Sequence, residues 1–442
     1  MRTPTIAEAS AQLRDGSLTS VDLTKSCLAQ IEARNGELNA FITVSAELAL
    51  ETASERDREL RSGKDRGPLH GIPIAHKDLF DTFDIRTTFG SGLFAERTPK
   101  EDSAVAGALR SAGAVVVGKA NLPEFATDPS GRNPWFGDLR NPLDTTRSGG
   151  GSSGGTAVAI AAGMCLAGTG SDTGGSVRIP ASWCGIVGLR PSYGLISLSG
   201  THPRAPSLDV AGPMGKTTSD CALMLDALLE THTYASELDR DWSGLKLGVL
   251  DDMGGADASV RSAIASAADH LARHGVKIVE VHDPYLAGVD DAQFLDVLLY
   301  EFNAAIGERY WKTPNRENVY SSVVHANIAR GAAVRREAYE ATVALRPQLL
   351  ARVQSIFKGV DAIVTPSTPT TAPKLQGEEA IFPGTRRFTL PTSFLELPSI
   401  SIPCGSDAAG LPVGMQIVGD SRSERKLLSM TAWIERMLVE RD

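Results

Sequence analysis

Residues 149–155 read Gly-Gly-Gly-Ser-Ser-Gly-Gly and open a window, 149–188, that holds twelve glycines in forty positions. The whole chain has 43 glycines in 442 residues, so the window is about three times richer in glycine. Because glycine costs backbone entropy on folding, this density predicts positive φ angles or a close approach of backbone to a ligand. Apolar stretches at 157–162 and 186–189 favour a packed core over a flexible linker. The window is therefore the predicted functional site.

Outward from this window, apolar runs alternate with helical patterns. Residues 72–75 and 114–117 have the composition of buried strands, with a helix predicted over 102–112 between them. Such alternation is typical of an α/β fold. At the N-terminus, 1–68 is predicted to be a helical lead-in.

Residues 5–31 of the lead-in match two helices, with a capping box at 5–8, Gly16 ending the first helix and Ser20 capping the second.

The second half of the chain has a helix-rich part, about 220–360, followed by apolar strands. Helices are predicted over 220–229, 259–274, 291–310 and 323–346, and strands over 246–250, 277–281, 362–365, 400–403 and 413–418. The last three strands are expected to complete the sheet that begins before Leu250. We find no internal repeat and no low-complexity linker, so the preferred organisation is a single domain, 1–442, with a helix-rich insertion.

Composition excludes several classes of protein. The formal net charge of -9 disfavours a nucleic-acid surface. The five cysteines are scattered, and no pair has zinc-site spacing, which indicates buried thiols in a reducing compartment. Neither a secretory signal nor a membrane anchor is visible, so the expected location is cytoplasmic.

Three matches to known motifs are rejected. Residues 113–119 have the spacing of a phosphate-binding loop, but their apolar interior predicts a strand. The glycines of 149–154 fit G-x-G-x-x-G, yet 142–148 before them is polar and turn-like instead of the strand that a dinucleotide site needs. Residues 243–246 fit S-x-x-K without the partner motifs of penicillin-recognising enzymes.

One alternative hydrolase site stays open. Ser152 sits in a G-x-S-x-G pattern and would be the nucleophile of an α/β-hydrolase-type esterase. Asp251 with His325 or His282 could complete its triad. This hypothesis leaves Lys77 without a role, and it ranks second.

The preferred site combines a lysine with two serine clusters. Lys77 ends the apolar run 71–77, where partial burial would disfavour its charged form. Ser152 and Ser153 supply hydroxyls on a turn that enters a helix. Ser176 follows 24 residues after Ser152 and is preceded by two glycines whose N–H groups could face an oxyanion. The three segments supply a base, a relay and a nucleophile.

These segments resemble the amidase signature family, and about half of the chain takes part in the match. The matching segments are 69–78, 118–125, 149–155, 172–176, 184–194, 207–209, 212–214, 403–405 and 410–414. The resemblance implies a mixed central sheet surrounded by helices, with a Ser-Ser-Lys triad.

In the roles that the resemblance implies, Ser176 attacks the amide carbon and Ser152 passes its proton to a neutral Lys77. The N–H groups of Thr173, Gly174, Gly175 and Ser176 bind the oxyanion, and water then releases the acyl group. No cofactor or metal is expected.

Several residues keep a second interpretation. Ser153 either caps the following helix or replaces Ser152 as the relay. His76 neighbours Lys77 in an extended run, so the two side chains are expected on opposite faces, and His76 is interpreted as structural. Asp172 and Arg178 are expected to form a buried pair that holds the loop.

Two functions are weighed. The first is a stand-alone amidase acting on a small-molecule amide, with no nucleic-acid or membrane partner and a homodimer as one candidate assembly. The second is the A subunit of a glutamyl-tRNA amidotransferase, which resembles the chain over the same motifs. Ser393 and Glu396 stand where many family members have Asn and Gly, which favours the first function. A non-enzymatic binding module is disfavoured because all three triad positions are intact.

Overall fold

The computed structural model describes residues 3–288, 291–376 and 384–439. Its strands are β1 (Phe41–Val44), β2 (Pro73–Lys77), β3 (Val115–Ala120), β4 (Arg140–Asn141), β5 (Asp144–Ser148), β6 (Ala167–Asp172), β7 (Val187–Arg190), β8 (Val210–Gly215), β9 (Lys246–Leu250), β10 (Lys277–Val281), β11 (Ala362–Pro366), β12 (Ser399–Ser406) and β13 (Pro412–Val418). Its α-helices are α1 (Ile6–Asp15), α2 (Ser20–Leu38), α3 (Ala46–Arg61), α4 (Ala104–Ser111), α5 (Gly154–Ala161), α6 (Arg178–Cys184), α7 (Thr218–Leu228), α8 (Ala258–Arg273), α9 (Asp291–Lys312), α10 (Arg316–Val319), α11 (Ser322–Ala333), α12 (Arg336–Ala344), α13 (Arg346–Ile356), α14 (Leu390–Phe394) and α15 (Glu424–Val439).

Eleven of these strands form one mixed sheet in the order β1-β3-β2-β6-β8-β7-β12-β13-β11-β9-β10, while β4 pairs with β5 apart from it. Parallel pairing joins β3, β2 and β6 on one side and β11, β9 and β10 on the other, and the strands between pair antiparallel. Helices pack on the sheet. The predicted α/β fold with a mixed central sheet is confirmed, and β11 to β13 complete it as expected.

The sheet brings the two serine loops to Lys77. Because β2 and β6 are parallel neighbours, their carboxyl ends, Lys77 and Asp172, lie at the same edge of the sheet. The loop after β6 carries Ser176 and enters α6, whereas Ser152 and Ser153 lie on the loop that enters α5.

Close backbone approach explains part of the glycine density. A Cβ at Gly155 would lie 2.4 Å from both the N and the O of Asn121 and 2.5 Å from the O of Ala40. The first turn of α5 therefore packs directly on neighbouring backbone, whereas the predicted positive φ angles occur at Gly150, Gly163, Gly175 and Gly185.

The lead-in differs from its prediction in two ways. It is not wholly helical, because β1 pairs with β3 at the edge of the sheet. Thr19, not Ser20, caps α2: its hydroxyl accepts the N–H of Asp22 at 3.0 Å. Ser20 instead donates its hydroxyl to the Gly71 carbonyl at 2.8 Å, which joins the helix to the start of β2.

Two further expectations are wrong. The helix predicted over 323–346 is three helices, α11 to α13, because Val334 is extended and Pro347, which has no N–H to donate, starts a new helix. The stretch 142–148 is not only a turn, since β5 pairs with β4 there.

The five cysteines are buried thiols that form no disulfide within the described residues, as predicted. In the part of the chain that the structure describes, no helix is long and apolar enough to cross a membrane. The division of the chain into one domain with an insertion stays a prediction.

Candidate active site

A buried lysine lies at the centre of the site. The Nζ atom of Lys77 lies 2.7 Å from Ser152 Oγ, 3.0 Å from Ser153 Oγ and 2.8 Å from Ser171 Oγ. Lys77, Ser152 and Ser153 are all 0% exposed. The structure thus brings the predicted base and both candidate relays together. It adds Ser171, which the sequence-based prediction missed.

Burial lowers the pKa of Lys77 well below the ordinary lysine value, and Arg204 adds to this effect against the opposing fields of Asp172 and Asp209. Burial therefore shifts the equilibrium of Lys77 towards the neutral amine, which has two N–H donors and one lone pair. In that form, with three hydroxyls around it, the amine can donate to two of them and accept from the third.

Ser153 cannot be that third hydroxyl while it keeps its observed partners. Its hydroxyl donates to the Ser171 carbonyl at 3.1 Å and accepts the Ser171 N–H at 3.1 Å. Although Ser153 occupies the N-cap position of α5, its side chain makes no capping bond. The interpretation of Ser153 as a simple helix cap is therefore wrong.

Ser176 begins the turn into α6 and is only 3% exposed. Its carbonyl accepts the N–H of Ser153 at 3.0 Å, which ties the two serine loops together. Among the residues that the structure describes, the N–H groups of Thr173, Gly174 and Ser176 have no hydrogen-bond acceptor. Free N–H groups on a glycine-rich turn provide donors for an anion.

The N–H group of Gly175, the fourth predicted oxyanion donor, already has a hydrogen-bond acceptor. The N–H of Gly175 donates to Asp172 Oδ1 at 2.8 Å, so it is not available to an oxyanion in this structure. Gly175 has φ 118°. A Cβ there would lie 2.1 Å from Thr389 Oγ1, and that hydroxyl bonds the Gly174 carbonyl at 2.8 Å. The conformation of the loop therefore requires glycine at this position.

A buried ion network supports this loop from behind. Asp172 pairs with Arg178 at 2.8 Å and with Arg190 at 3.2 Å, and all three side chains are fully buried. Burial by itself would raise the pKa of Asp172, but the two guanidinium groups and the Gly175 N–H outweigh it and hold that pKa far below the usual range. The geometry matches the predicted pair, with Arg190 as a second partner.

Ser393 and Glu396, the two residues that depart from the family pattern, lie in different surroundings. Ser393 accepts from Arg178 at 2.8 Å and so belongs to the ion network behind the loop. Glu396 lies outside it and pairs with Arg346 at 2.7 Å.

His76 points away from Lys77, as the strand alternation predicts. Its Nδ1 lies 3.0 Å from Thr169 Oγ1, and burial together with the Lys119 charge lowers its pKa to about 3.

The histidines that the esterase hypothesis needs are bonded to other residues. His282 pairs with Asp251 at the surface with 73% of its side chain exposed, and His325 bonds Tyr310 at 2.6 Å. Ser152 contacts Lys77 instead.

A cavity of about 410 Å³ adjoins the site. Ser171, Leu79, His202, Arg204 and Asp209 are among the residues that line it. It gives a small molecule room beside Ser171, whereas Lys77, Ser152 and Ser176 are not among its lining residues.

The mixed sheet of eleven strands surrounded by helices matches the fold of solved amidase structures. The chain belongs to the amidase family, whose model, described as Amidase, matches residues 22–428. The A subunit of the glutamyl-tRNA(Gln) amidotransferase from Koribacter versatilis is 35% identical, covering 97% of each chain.

Solved structures agree with this assignment. A crystal structure of an amidase is 32% identical with a TM-score of 0.90, covering 98% of this chain and 99% of the other. The native peptide amidase from Stenotrophomonas maltophilia is 29% identical with a TM-score of 0.84, covering 98% and 97%. The predicted family and fold are confirmed.

Proposed function

We propose that this chain is an amidohydrolase that cleaves a small-molecule carboxylic amide through an acyl-enzyme on Ser176. The observation that carries the proposal is the buried Lys77 amine, with its lowered pKa, surrounded by three hydroxyls. A neutral amine in hydrogen-bond contact with a serine can accept a proton near neutral pH.

In the proposed reaction, Ser176 Oγ attacks the amide carbon and its proton passes through Ser152 to Lys77. The N–H groups of Thr173, Gly174 and Ser176 stabilise the oxyanion. Lys77 then returns the proton through Ser152 to the departing amine, so the C–N bond breaks and the acyl group stays on Ser176. In the second half-reaction, water attacks the acyl carbon and gives its proton to Lys77 through Ser152. The ester bond to Ser176 then breaks, Ser176 takes the proton back, and the carboxylic acid leaves.

Ser152 is the proposed relay because the Ser153 proton is held by the Ser171 carbonyl. Ser171 also contacts Lys77, and we assign it to hold the amine in place.

A serine-directed phosphonate tests the nucleophile. The reagent should label Ser176, located by peptide mass spectrometry, and Ser176→Ala should abolish both labelling and ammonia release from a panel of aliphatic, aryl and ureido amides. Labelling at Ser152 would contradict the proposal.

A second candidate is the A subunit of a glutamyl-tRNA amidotransferase, because a relative with that name matches the chain over nearly its full length. The departures at Ser393 and Glu396 and the net charge of -9 support the stand-alone enzyme. Purification from the native host separates the two: turnover by the chain alone supports the amidase, whereas activity that requires co-purifying proteins supports the amidotransferase.

We further infer a cytoplasmic enzyme without a nucleic-acid or membrane partner, either monomeric or a homodimer. Light scattering on the purified chain measures its assembly state.

A further inference from the structure

The peptide unit that joins Gly174 to Gly175 is held by hydrogen bonds at both of its polar groups. Its carbonyl oxygen, on Gly174, accepts the Thr389 hydroxyl at 2.8 Å. Its N–H, on Gly175, donates to Asp172 Oδ1 at 2.8 Å. Because the C=O and the N–H of a trans peptide point in opposite directions, Thr389 and Asp172 hold this unit from opposite sides.

Thr389 is fully buried and lies directly against the loop. Glycine at 175 makes this contact possible, since a Cβ there would lie 2.1 Å from Thr389 Oγ1 and 2.6 Å from Thr389 Cβ. Thr389 occupies the N-cap position of α14, but its hydroxyl donates to the Gly174 carbonyl instead of accepting from the first turn of that helix. A longer contact of 3.3 Å joins the same hydroxyl to the Arg386 carbonyl. The Thr389 side chain therefore bonds the loop more closely than its own segment.

The backbone of Thr389 is anchored to the ion network behind the loop. Its carbonyl accepts the N–H of Ser393 at 3.1 Å and the hydroxyls of Ser393 and Thr392 at 3.0 Å each. Both of these hydroxyls in turn accept from Arg178, at 2.8 and 2.6 Å. Arg178 pairs with Asp172 at 2.8 Å. A closed circuit of bonds thus runs from the loop through α14 and back, and it leaves Thr389 little freedom to move away.

Side chains do little to fix the rotation of this peptide unit, because both of its residues are glycine. Rotating the Gly174 carbonyl away from Thr389 turns its partial negative charge either towards the Asp172 carboxylate or towards the N–H groups proposed to bind the oxyanion. The first change repels the carboxylate that supports the loop, and the second repels the oxyanion. The same rotation moves the N–H of Gly174, since that group shares its Cα atom with the unit. The bond to Thr389 opposes each of these changes.

We propose that Thr389 is a positioning residue for the amidase reaction: its hydroxyl keeps the Gly174 carbonyl out of the oxyanion site and so fixes the N–H groups of loop 173–176. The inference rests on the proposed function, because it concerns the oxyanion donors of that same site. Donors that are fixed before the reaction stabilise the transition state more than the ground state. Loss of the hydroxyl should therefore lower kcat and leave KM almost unchanged.

Three substitutions at one position test this assignment. Thr389→Val keeps the shape of the side chain without its hydroxyl, and kcat should fall by about 10- to 100-fold, the effect of a small misplacement of catalytic groups. Thr389→Ser keeps the hydroxyl and should keep most of the wild-type kcat. If Thr389→Val does not fold, Thr389→Cys takes its place, since a thiol is only a weak donor, and its kcat should fall in the same direction. A wild-type kcat in the folded variant that lacks the hydroxyl overturns the inference, as does a Thr389→Ser enzyme that is equally slow.

Thr156 provides the matched control. It is also fully buried, and its hydroxyl donates to a backbone carbonyl, that of Thr169, at 3.0 Å. Thr156→Val loses a bond of the same kind outside loop 173–176, so its melting temperature should fall about as much as that of Thr389→Val while its kcat stays at the wild-type value. An equal fall of kcat in the two variants would show that each hydroxyl acts through stability alone, which overturns the positioning role.

A labelling rate separates this inference from the proposed function, because it needs no amide substrate. A fluorophosphonate forms a bond from Ser176 Oγ to phosphorus as fluoride leaves, and its phosphoryl oxygen uses the same N–H donors. Thr389→Val should slow this labelling by about 10- to 100-fold, whereas Thr389→Ser and Thr156→Val should not. Equal labelling rates in Thr389→Val and the wild type overturn the role of Thr389. Absence of turnover on every amide would overturn the proposed function, and the labelling rates would then decide the role of Thr389 alone.

Discussion

Ser153 and Ser171 are joined by two hydrogen bonds: the Ser171 N–H donates to Ser153 Oγ at 3.1 Å, and the Ser153 hydroxyl donates to the Ser171 carbonyl at 3.1 Å. This pairing fixes the direction of the Ser153 hydroxyl and leaves only its oxygen for Lys77. Of the two adjacent serines, Ser152 therefore has the proton that is free to move. The structure thus separates two residues that the sequence alone treats as near equivalents.

Replacing each serine in turn should give different results. Ser152→Ala should lower kcat by about 10²- to 10⁴-fold, the range for loss of a positioned proton-transfer group. Its melting temperature should stay near the wild-type value, because Lys77 is the one hydrogen-bond partner of the Ser152 hydroxyl among the described residues. Steady-state kinetics and thermal unfolding measure the two effects.

Ser153→Ala is the matched comparison. It leaves the Ser171 N–H without an acceptor, so it should cost about 1–3 kcal/mol of stability and reduce kcat less than Ser152→Ala does. A folded Ser153→Ala protein as inactive as Ser152→Ala would assign the relay to Ser153.

The lowered pKa of Lys77 predicts the pH dependence of activity. Because the neutral amine is the active form, kcat/KM should rise with pH through the folded-state pKa of Lys77 and reach its plateau well below the ordinary value of 10.5. His76 does not interfere, since its pKa is about 3. A rate profile from about pH 5 to pH 10 is the measurement. A kcat/KM that still rises as the pH approaches 10.5 would show that the pKa of Lys77 is not lowered.

The same lysine should make stability depend on pH. Its pKa is lower in the folded chain than in the unfolded one, so between those two values the unfolded chain binds the extra proton and wild-type stability rises with pH. Lys77→Met removes the titrating amine and with it this pH dependence of stability. As the pH falls from 10.5 towards the folded-state pKa, the unfolding free energy of the wild type should fall relative to that of the variant by about 1.4 kcal/mol per pH unit.

Denaturant unfolding of both proteins at several alkaline pH values measures this difference. A constant difference would mean that Lys77 is charged in the folded state.

Local sequence predicts seven of the thirteen strands, β2, β3 and β9 to β13, but none of β1, β4, β5, β6, β7 and β8. The apolar run before Lys77 implies burial, and the glycine-rich turns imply exposed N–H groups, so a candidate base, two candidate relays and a candidate nucleophile are predicted from short segments, and the preference for Ser152 over Ser153 comes from the family resemblance. The mixed sheet itself came from the family resemblance, because periodicity alone does not determine strand order.

Other contacts depend on long-range pairing, so sequence could not supply them. Ser171 lies beside Lys77 only because β6 pairs with β2. The commitment of the Gly175 N–H to Asp172 depends on the fold of a five-residue loop, which no motif spacing describes.

Gly175 should tolerate no side chain. Gly175→Ala would place a Cβ 2.1 Å from Thr389 Oγ1 at a φ of 118°, so the loop must shift. We expect a loss of about 1–3 kcal/mol or more in stability. Gly174→Ala is the control, because the three atoms nearest to its Cβ would be side-chain atoms of Leu390, Arg386 and Leu298 at 3.2–3.6 Å. Thermal unfolding should show the larger loss for Gly175→Ala, and equal losses would contradict the assigned geometry.

Asp172 should contribute far more to the free energy of unfolding than an exposed carboxylate does. Asp172→Asn keeps the size of the side chain but leaves Arg178 and Arg190 without their counter-charge in a fully buried position. Breaking a buried pair in this way costs about 3–5 kcal/mol. The exposed pair of Arg336 and Glu340 provides the comparison, since Glu340→Gln should change stability by less than about 1 kcal/mol. Urea unfolding of the two variants measures the contrast. A small loss for Asp172→Asn would show that hydrogen bonds, not charge, hold the loop of the nucleophile.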